Sequence, residues 1–359
     1  MKEYKTIGLM SGTSLDGVDI AYCVFQKKSG LWKYKILHAE TIQYNYQWKN
    51  RLANLHKSDA ETFVKTHTQL GKYFGELINK FIKKYKIKPD LISSHGHTVF
   101  HQPENGFTSQ IGDGTQIAAI TGIKTVCDFR SRDLALKGQG APLVPVGDRL
   151  LFSEYDYCLN LGGIANISFE KRKQRIAFDI CPVNMALNDL ANEAGFDFDN
   201  KGKLSSKGKI NSKLLEKLNT LEFYRIPPPK SLGKEWYEHN FKTVLKKSKI
   251  KLPDRLRTVT EHIAKQISSV VNNQSGSKNI TAKKILVTGG GAHNDFLIQC
   301  IAEKTRAQVI IPLKKIIDFK EALVFAFLGV LRMNNEINIL KSVTGAMHDH
   351  SGGAIYSES

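Results

Sequence analysis

The residues with the most evident chemical potential form a short polar stretch near the start of the chain. Residues 7–19 read I-G-L-M-S-G-T-S-L-D-G-V-D, which places glycines, hydroxyls and two aspartates between apolar runs. Backbone amides and hydroxyls of such a turn donate hydrogen bonds to phosphate oxygens, while an aspartate holds a hydrated Mg²⁺. The pattern therefore predicts a site for a metal-bridged polyphosphate, with Asp16 and Asp19 as metal ligands. The residues assigned to the phosphates are Gly12, Thr13, Ser14, Leu15, Asp16, Gly17, Val18 and Asp19.

Two familiar motifs do not fit this stretch. Gly12 and Gly17 have the spacing of a Walker loop, but Val18 and Asp19 stand where Lys and Ser or Thr should follow. The turn also leads into a β-rich run, whereas a Walker loop leads into a helix. A hydrolase nucleophile elbow, G-x-S-x-G, requires glycine at the position that Asp16 occupies. The stretch is therefore neither a P-loop nor a nucleophile elbow.

Two further glycine clusters follow β-rich runs. They read Y-C-L-N-L-G-G-I-A-N-I-S-F at 157–169 and K-I-L-V-T-G-G-G-A-H-N-D-F-L at 284–297. Glycine lets the backbone approach a ligand closely, and helix N-termini favour anions. A single Gly-Gly at the end of a strand is often only a turn, but three clusters in the same context favour a ligand site.

Composition and charge restrict the class of partner. The chain has 359 residues, 41% hydrophobic and 24% charged, which is an ordinary balance for a globular protein. Its 52 Lys and Arg against 34 Asp and Glu give a net charge of +18, which suggests nucleic acid as a partner. However, the lysines are dispersed in short clusters without interleaved stacking aromatics. We expect a solvated basic surface that attracts small anionic substrates, and no nucleic-acid partner.

Cysteine usage and apolar runs predict the compartment. The five cysteines form no C-x-x-C pair, which favours free thiols in a reducing compartment. The N-terminus lacks the continuous apolar region of a signal peptide, and the longest apolar run, A-L-V-F-A-F-L-G-V-L, is about half the ~20 residues of a membrane span. These features predict a cytoplasmic protein without a membrane partner.

The elements that must position these residues suggest a duplication. The pattern of strand, turn and strand at the start of the chain occurs again at 157–169. We therefore expect an N-terminal domain over 1–150 and a C-terminal domain over 151–359. The last helix is expected to return to the first domain. We expect a loop-rich segment over 95–145 and a polar surface loop over 272–279. The other expected elements are strands at 4–10, 90–94 and one ending at 179, and helices at 61–85, 184–194, 211–219, 234–248 and 253–273.

Further motifs resemble one family over nearly the whole chain. Besides the stretches quoted above, they are G-H-T-V-F-H-Q-P, Q-I-G-D-G-T-Q-I-A, D-F-R-S-R-D, G-Q-G-A-P-L-V-P, P-P-K-S-L-G-K-E, S-V-T-G-A and G-A-I-Y. In this order they resemble the anhydro-N-acetylmuramic acid kinases, which belong to the acetate and sugar kinase, Hsp70 and actin superfamily. The resemblance implies an α/β, two-domain actin-like (ribonuclease H-like) ATPase fold with a central cleft for nucleotide and sugar.

The resemblance also implies an activity and its ligands. The family uses ATP and Mg²⁺ to hydrolyse the 1,6-anhydro ring of anhydro-N-acetylmuramic acid and to phosphorylate O6, which gives N-acetylmuramic acid 6-phosphate and ADP in cell-wall recycling. The implied partner is this anhydro amino sugar, and a homodimer is a further expectation that the sequence alone does not settle. The further nucleotide-binding residues that the resemblance implies are Gly162, Gly163, Asn166, Gly289, Gly290 and Gly291.

Asp179 matches the general base of the family, which would accept a proton from the attacking water. It ends the run Q-R-I-A-F-D and is followed by a Pro-containing loop and the start of a helix. On the sequence alone, a helix-capping role is equally consistent with this position.

The implied sugar-binding residues are His97, Thr98, Arg130 and Glu321. Arg130 would bind the lactyl carboxylate of the sugar, and the alternative is a structural ion pair with Asp128 or Asp133. A second alternative concerns the histidines of this region, since His95, His97 and His101 have some resemblance to a zinc site.

The chain departs from the family pattern at two places. Asp179-Ile180-Cys181-Pro182-Val183-Asn184 stands where the family has Asp-Thr-Gly-Pro-Gly-Asn, and Lys137 stands where it often has glycine. We expect Cys181 and Val183 to crowd the sugar, and Lys137 to place a cation near it. The departures leave open a kinase of a related anhydro or amino sugar, or a degenerate homologue that binds nucleotide or sugar without turnover.

Overall fold

The structure is a computed structural model that describes residues 2–273 and 283–357. The chain divides into two compact units, of which unit 1 comprises Met1–Leu151 with Phe319–Ser359 and unit 2 comprises Phe152–Asp318. The sequence placed residues 151–359 in one domain, with the last helix returning to the first domain; in the structure, the segment from Phe319 onward belongs to unit 1. Helix-forming residues continue across this point, and the helix kinks at Phe319.

Both units combine β-strands with α-helices in the described residues. The strands are β1 (Glu3–Ser11), β2 (Gly17–Lys28), β3 (Leu31–Gln43), β4 (Leu91–Gln102), β5 (Phe107–Ile111), β6 (Thr125–Cys127), β7 (Tyr157–Leu161), β8 (Ile164–Lys171), β9 (Gln174–Pro182), β10 (Lys284–Thr288), β11 (Gln308–Ile310) and β12 (Ala354–Tyr356). The helices are α1 (Tyr46–Asn54), α2 (Ala60–Tyr85), α3 (Gly114–Thr121), α4 (Ser131–Ala135), α5 (Val144–Leu151), α6 (Asn184–Asn192), α7 (Ser212–Asn219), α8 (Lys234–Trp236), α9 (Lys242–Lys246), α10 (Leu252–Asn273), α11 (Asp295–Lys304), α12 (Lys314–Met333) and α13 (Lys341–Thr344).

Unit 1 contains a mixed sheet with the order β12-β6-β4-β1-β2-β3, and β5 pairs with β4. Strands β1, β2 and β3 form an antiparallel meander, while β4 runs parallel to β1 and β6 runs parallel to β4. The amphipathic helix α2 begins at Asp59, whose side chain accepts a hydrogen bond from the Thr62 amide, and it contributes Phe74 and Phe81 to the core. Helix α12 approaches β1 so closely that a Cβ at Gly8 would overlap the Ala322 carbonyl. The missing side chain of Gly8 therefore permits the short distance between α12 and the sheet.

Unit 2 repeats the same topology. Its sheet has the order β11-β10-β7-β8-β9, with an antiparallel meander of β7, β8 and β9 and parallel strands β10 and β11. Strands β7 to β11 thus occupy the positions that β1, β2, β3, β4 and β6 hold in unit 1. This is the ribonuclease H-like strand order in duplicate, and it confirms the α/β fold class expected from the sequence.

Two sequence-based expectations about elements are wrong. The segment 95–145 is not loop-rich, because β4 continues to Gln102 and is followed by β5, β6, α3 and α4. The buried face of β4 carries polar side chains such as Ser93 and His95, so it lacks the apolar pattern of a strand. Strand β9 likewise continues past Asp179 to Pro182. Of the polar stretch 272–279, the first two residues end α10, and the remainder lies outside the described residues.

Two observations bear on the expected compartment. In the described part of the chain, no helix has both the length and the apolar character needed to cross a membrane. All five cysteines are buried free thiols.

Candidate active site

The turn between β1 and β2 displays polar side chains to solvent. Thr13, Ser14 and Asp16 are exposed, while Leu15 adopts a φ of 60° and its amide donates to the Gly12 carbonyl over 3.3 Å. The turn therefore presents two hydroxyls and a carboxylate, all oxygen donors of the kind that Mg²⁺ prefers. The donor chemistry of this turn fits the predicted metal and phosphate site.

The other residues assigned to this turn differ in accessibility. Val18 is fully buried in the core of unit 1, and a Cβ at Gly17 would lie 2.4 Å from the Ile42 carbonyl oxygen. These two positions can offer a ligand only their backbone. Asp19 follows on β2, where its Oδ1 accepts a hydrogen bond from Thr41 Oγ1 at 2.5 Å.

A buried polar network lies beside this turn. Ser11 Oγ is 2.7 Å from Tyr44 Oη and 3.1 Å from His97 Nδ1. Burial lowers the pKa of His97 to about 4, so this imidazole is neutral near pH 7. Sequence reasoning had selected His97 but had missed Ser11 and Tyr44, whose roles depend on pairing between distant segments.

A cavity of about 270 Å³ lies between the turn and the second half of β4. It brings predicted phosphate residues together with predicted sugar residues. Its lining residues are Thr13, Leu15, Leu52, Ala53, His56, His97, Thr98 and Val99.

Arg130 lies after β6 and is held by neutral acceptors. Its Nε and Nη2 donate to His95 Nε2 over 3.2 and 2.9 Å, and its Nη1 donates to the Gly140 carbonyl over 2.5 Å. Burial lowers the pKa of Arg130 to about 10, an effect that the charges of Glu321 and Asp133 partly offset. The guanidinium therefore remains a cation at neutral pH.

The alternative assignment of Arg130 to a structural ion pair is wrong for the described residues. Asp128 accepts hydrogen bonds from Ser131, and Asp133 accepts one from the Gly140 amide over 2.6 Å. Neither carboxylate forms a salt bridge with Arg130 there. A partly buried guanidinium that forms no salt bridge within the described residues is suited to bind an anionic ligand.

Glu321 lies just after the kink of α12 and is accessible to solvent. Partial loss of hydration raises its pKa, the carboxylate of Asp19 raises it further, and the cations of Arg130 and Lys320 oppose this increase. Lys320 itself forms a buried salt bridge of 2.7 Å with Asp148. Glu321, Asp19 and Arg130 thus form one electrostatically coupled group in unit 1.

The histidines of β4 do not form the zinc site that the sequence left open. His95 faces Arg130, His97 faces Ser11, and His101 Nδ1 lies 3.1 Å from Thr108 Oγ1. Across the ranges that the structure describes, no group of three or more His, Cys, Asp or Glu residues is arranged to hold a metal ion.

In unit 2, the glycine pair between β7 and β8 contacts the start of α6. The Gly163 carbonyl accepts hydrogen bonds from the amides of Val183 and Met185 over 2.8 and 3.2 Å. Asn184 Nδ2 donates to the Leu161 carbonyl over 3.0 Å, and a Cβ at Gly291 would lie 2.7 Å from Leu161 Cβ. The turn at Gly162 and Gly163 and the cluster Gly289–Gly291 therefore converge on one face of unit 2.

The predicted glycines differ in whether the fold itself requires glycine at their positions. A Cβ built at Gly12, Gly162, Gly163 or Gly290 would be at least 3.4 Å from its nearest neighbour. In contrast, Gly289 has a φ of 81°, so the fold itself demands a glycine there. At the first four positions, packing does not require glycine. The absence of a side chain there leaves room for a ligand to approach the backbone closely, which fits the phosphates and nucleoside of ATP.

Asp179 lies beside a bulge in β9. Asn166 pairs with Asp179 and Ala165 pairs with Cys181, so Ile180 is an extra residue on β9. Bulges next to active sites redirect side chains. The bulge also places Asp179 opposite Asn166, another residue assigned to the site.

The environment of Asp179 suits a general base. The Leu232 amide donates to its Oδ2 over 2.8 Å, and its own amide donates to the Lys230 carbonyl over 3.1 Å. Burial raises the pKa of Asp179 to about 6, although the hydrogen bond from Leu232 lowers it in part. Sequence reasoning missed Leu232, although the motif P-P-K-S-L-G-K-E contains it.

The capping role left open for Asp179 is wrong, because α6 begins after Val183 without a side-chain cap. The expectation that Cys181 and Val183 crowd the sugar is also wrong. Both side chains are fully buried in the hydrophobic core of unit 2. Lys137 has a φ of 64°, a conformation that favours glycine, and it is exposed.

The ribonuclease H-like strand order, present in both units, defines the class of fold, a two-domain actin-like ATPase fold. The model of the anhydro-N-acetylmuramic acid kinase family matches residues 4–358. The chain therefore belongs to the anhydro-N-acetylmuramic acid kinase family.

Individual proteins that carry the family's name are similar to the chain. It is 34% identical to the anhydro-N-acetylmuramic acid kinase of Caldanaerobacter subterraneus subsp. tengcongensis, over 97% of this chain and 95% of that protein. It is 35% identical to the Coxiella burnetii protein of that name, over 99% and 98%. Among solved structures, component A of the Acidaminococcus fermentans (R)-2-hydroxyglutaryl-CoA dehydratase matches with a TM-score of 0.46 and 11% identity, over 91% of this chain and 97% of that one.

Proposed function

We propose that the protein is an ATP-dependent kinase that hydrolyses the 1,6-anhydro ring of anhydro-N-acetylmuramic acid and phosphorylates its O6. The products are N-acetylmuramic acid 6-phosphate and ADP. The observation that carries the proposal is Asp179, a carboxyl group beside a strand bulge, held by a backbone amide, with a pKa raised to about 6. A base with a pKa slightly below the working pH is ionised and still accepts a proton effectively.

In the proposed reaction, Asp179 takes a proton from water as that water attacks C1 of the sugar. The C1–O6 bond breaks, and the electron pair left on O6 forms a bond to the γ-phosphorus of ATP. The bond from the γ-phosphorus to the β–γ bridging oxygen breaks, and ADP leaves. Asp179 later returns its proton to solvent, so atoms and charges balance without a further reactant.

The β1–β2 turn is assigned to the triphosphate. Asp16 and Asp19 would hold Mg²⁺, which supplies charge neutralisation at the phosphates when it is bound. The hydroxyls of Thr13 and Ser14 donate to phosphate oxygens, and the bare backbone of Gly163 and of the other unconstrained glycines lets ATP approach closely.

The sugar is assigned to the coupled groups of unit 1. Arg130 is a cation without an ion-pair partner in the described residues, and it binds the lactyl carboxylate. His97 and Thr98 lie at the cavity beside the β1–β2 turn and hydrogen-bond the sugar hydroxyls. Glu321 completes this group and orients the ring through its carboxylate.

The cellular context follows from the chemistry proposed. A kinase that opens this anhydro sugar acts in peptidoglycan recycling, and we place it in the cytoplasm, where ATP is available and the buried cysteines remain thiols. The homodimer stays a prediction.

Sugar-dependent ADP formation tests the proposal. We would incubate the protein with ATP and Mg²⁺ and, separately, anhydro-N-acetylmuramic acid, anhydro-N-acetylglucosamine, free N-acetylmuramic acid or glucose. We expect ADP release to require Mg²⁺ and to be fastest with anhydro-N-acetylmuramic acid. Saturable sugar binding without ADP release would instead identify a non-catalytic homologue, and faster release with another sugar would reassign the substrate.

A further inference from the structure

The hydrogen bonds of Arg130 leave two of its five N–H donors available. A guanidinium has about five N–H donors in a planar fork. The Nε and Nη2 of Arg130 each direct a donor to His95 Nε2, and Nη1 directs one to the Gly140 carbonyl. One N–H on Nη1 and one on Nη2 are not used by these contacts, and a carboxylate has two oxygens that can accept both.

This arrangement fixes the protonation of His95. Its Nε2 receives donors from Arg130 and therefore carries no proton. Its Nδ1 lies 3.1 Å from the Gly96 carbonyl oxygen, so Nδ1 bears the proton and donates it there. Burial, and then the neighbouring positive charge of Arg130, hold the pKa of His95 well below its usual range. The ring is thus held in its neutral form, with Nε2 as the acceptor.

The fold holds the His95 ring in place. Leu9 pairs with Ser94 and Ser11 pairs with His97, so β4 contains one extra residue at His95 and Gly96. Gly96 has a φ of 75°, and a Cβ there would lie 2.6 Å from the Ile111 carbonyl oxygen. On its other side, the His95 ring packs against Phe325 with a centroid separation of 4.5 Å.

We propose that His95 is a positioning residue that confers selectivity for sugars bearing a carboxylate, because its Nε2 aligns the remaining N–H donors of Arg130 with that carboxylate. This inference rests on the proposed function and adds to it a determinant of substrate class. It requires no contact between His95 and the sugar.

Three variants test the inference. His95→Leu removes the acceptor, and His95→Gln restores an acceptor oxygen near the position of Nε2. His262→Leu is the matched control, since His262 is another buried neutral histidine with two hydrogen-bond partners, Asn219 and Tyr224. The substrates are anhydro-N-acetylmuramic acid and anhydro-N-acetylglucosamine, which lacks the lactyl carboxylate.

For His95→Leu, we expect KM for the carboxylated sugar to rise about 10- to 100-fold, as for loss of a charge-assisted hydrogen bond, with little change in kcat. The sugar without the carboxylate should be almost unaffected, and His95→Gln should recover most of the selectivity. His262→Leu should lower Tm and leave the selectivity ratio unchanged. Equal losses on both sugars, or a Gln variant as poor as the Leu variant, would show that His95 is only structural.

Two measurements keep this test independent of turnover. Calorimetric binding of the two sugars reports selectivity even if no sugar is phosphorylated, in which case the proposed function fails separately. Nitrogen chemical shifts of ¹⁵N-histidine-labelled protein, assigned with His95→Gln, should show a neutral His95 protonated at Nδ1. A proton on Nε2, or equal affinity of the wild-type protein for both sugars, would overturn the inference.

Discussion

The β1–β2 turn of unit 1 and the β7–β8 turn of unit 2 occupy the same position in two sheets of the same topology, yet they carry different chemistry. The first exposes hydroxyls and the carboxylate of Asp16. The second consists of Gly162 and Gly163, which offer only backbone. The comparison shows that the shared topology determines where a turn lies, whereas the residues of each turn determine what it can bind.

The two units also place their site residues in a similar way. A bulge in β4 carries His95, which holds Arg130, and a bulge in β9 lies beside Asp179. In each case an extra residue interrupts regular pairing and redirects a polar side chain. In both units, a strand bulge thus lies next to a residue that we assign to the site.

The largest expected effect comes from the base of unit 2. Asp179→Asn keeps the size of the side chain but cannot accept a proton from water, so kcat should fall by ~10² to 10⁴. ATP affinity should change little, as measured by calorimetry. Asp197→Asn, which alters an exposed carboxylate in the same unit, is the control and should retain turnover. Near-wild-type turnover by Asp179→Asn would show that Asp179 is not the general base.

A smaller effect is expected from the acid of unit 1. Asp16→Asn removes a charge complementary to Mg²⁺, so kcat/KM for MgATP should fall about 10- to 100-fold and recover in part at high Mg²⁺. Sugar affinity should be unchanged, which titration in the absence of nucleotide would show. Turnover that matches the wild type at every Mg²⁺ concentration would contradict the assignment of the metal to this turn.

The pKa of Asp179 predicts the acid limb of the pH profile. Because the base must be deprotonated, kcat/KM should rise with pH and level off above about 6, the raised pKa of Asp179. Well below that pH it should fall by about tenfold per pH unit. Asp179→Asn should lack this limb. A limb retained in the variant would assign the titration to another group.

The smallest effects compare two glycines of unit 2. Gly163→Ala adds a methyl group whose nearest neighbour would be 3.7 Å away, so Tm should stay close to that of the wild type while KM for ATP rises severalfold. Gly291→Ala would place its methyl 2.7 Å from Leu161 Cβ and should destabilise the fold by about 1–3 kcal/mol. Thermal unfolding and ATP kinetics of both variants separate the two roles. The reverse pattern would mean that packing, and not the nucleotide, requires Gly163.

The sequence predicted the features that depend on local pattern. The turn at Gly12–Asp19, the helix α2 and the hairpin at Gly162 and Gly163 follow from turn chemistry and apolar periodicity, and the structure contains them. Strand β4 was cut short in the prediction, since its buried face is polar and its bulge breaks the alternation of side chains. Periodicity cannot detect such a strand.

The parts of the site that depend on tertiary contacts could not be predicted. Tyr44 reaches Ser11, and the Leu232 amide reaches Asp179, across long separations in the sequence. The direction of Cys181 was predicted wrongly, because the extra residue Ile180 changes which side of β9 it faces, and Val183 is buried at the start of α6. The family pattern identified the residues, but only the pairing of strands determines which of them meet.

The central claim is that one reaction adds both phosphate and water to the same sugar. Mass spectrometry of the product formed from anhydro-N-acetylmuramic acid, ATP and Mg²⁺ tests it directly. We predict a single product that is heavier than the substrate by one phosphoryl group and one water. The Asp179→Asn variant should form this product far more slowly. A phosphorylated sugar with its anhydro ring intact, or ADP formed while the sugar is unchanged, would contradict the account.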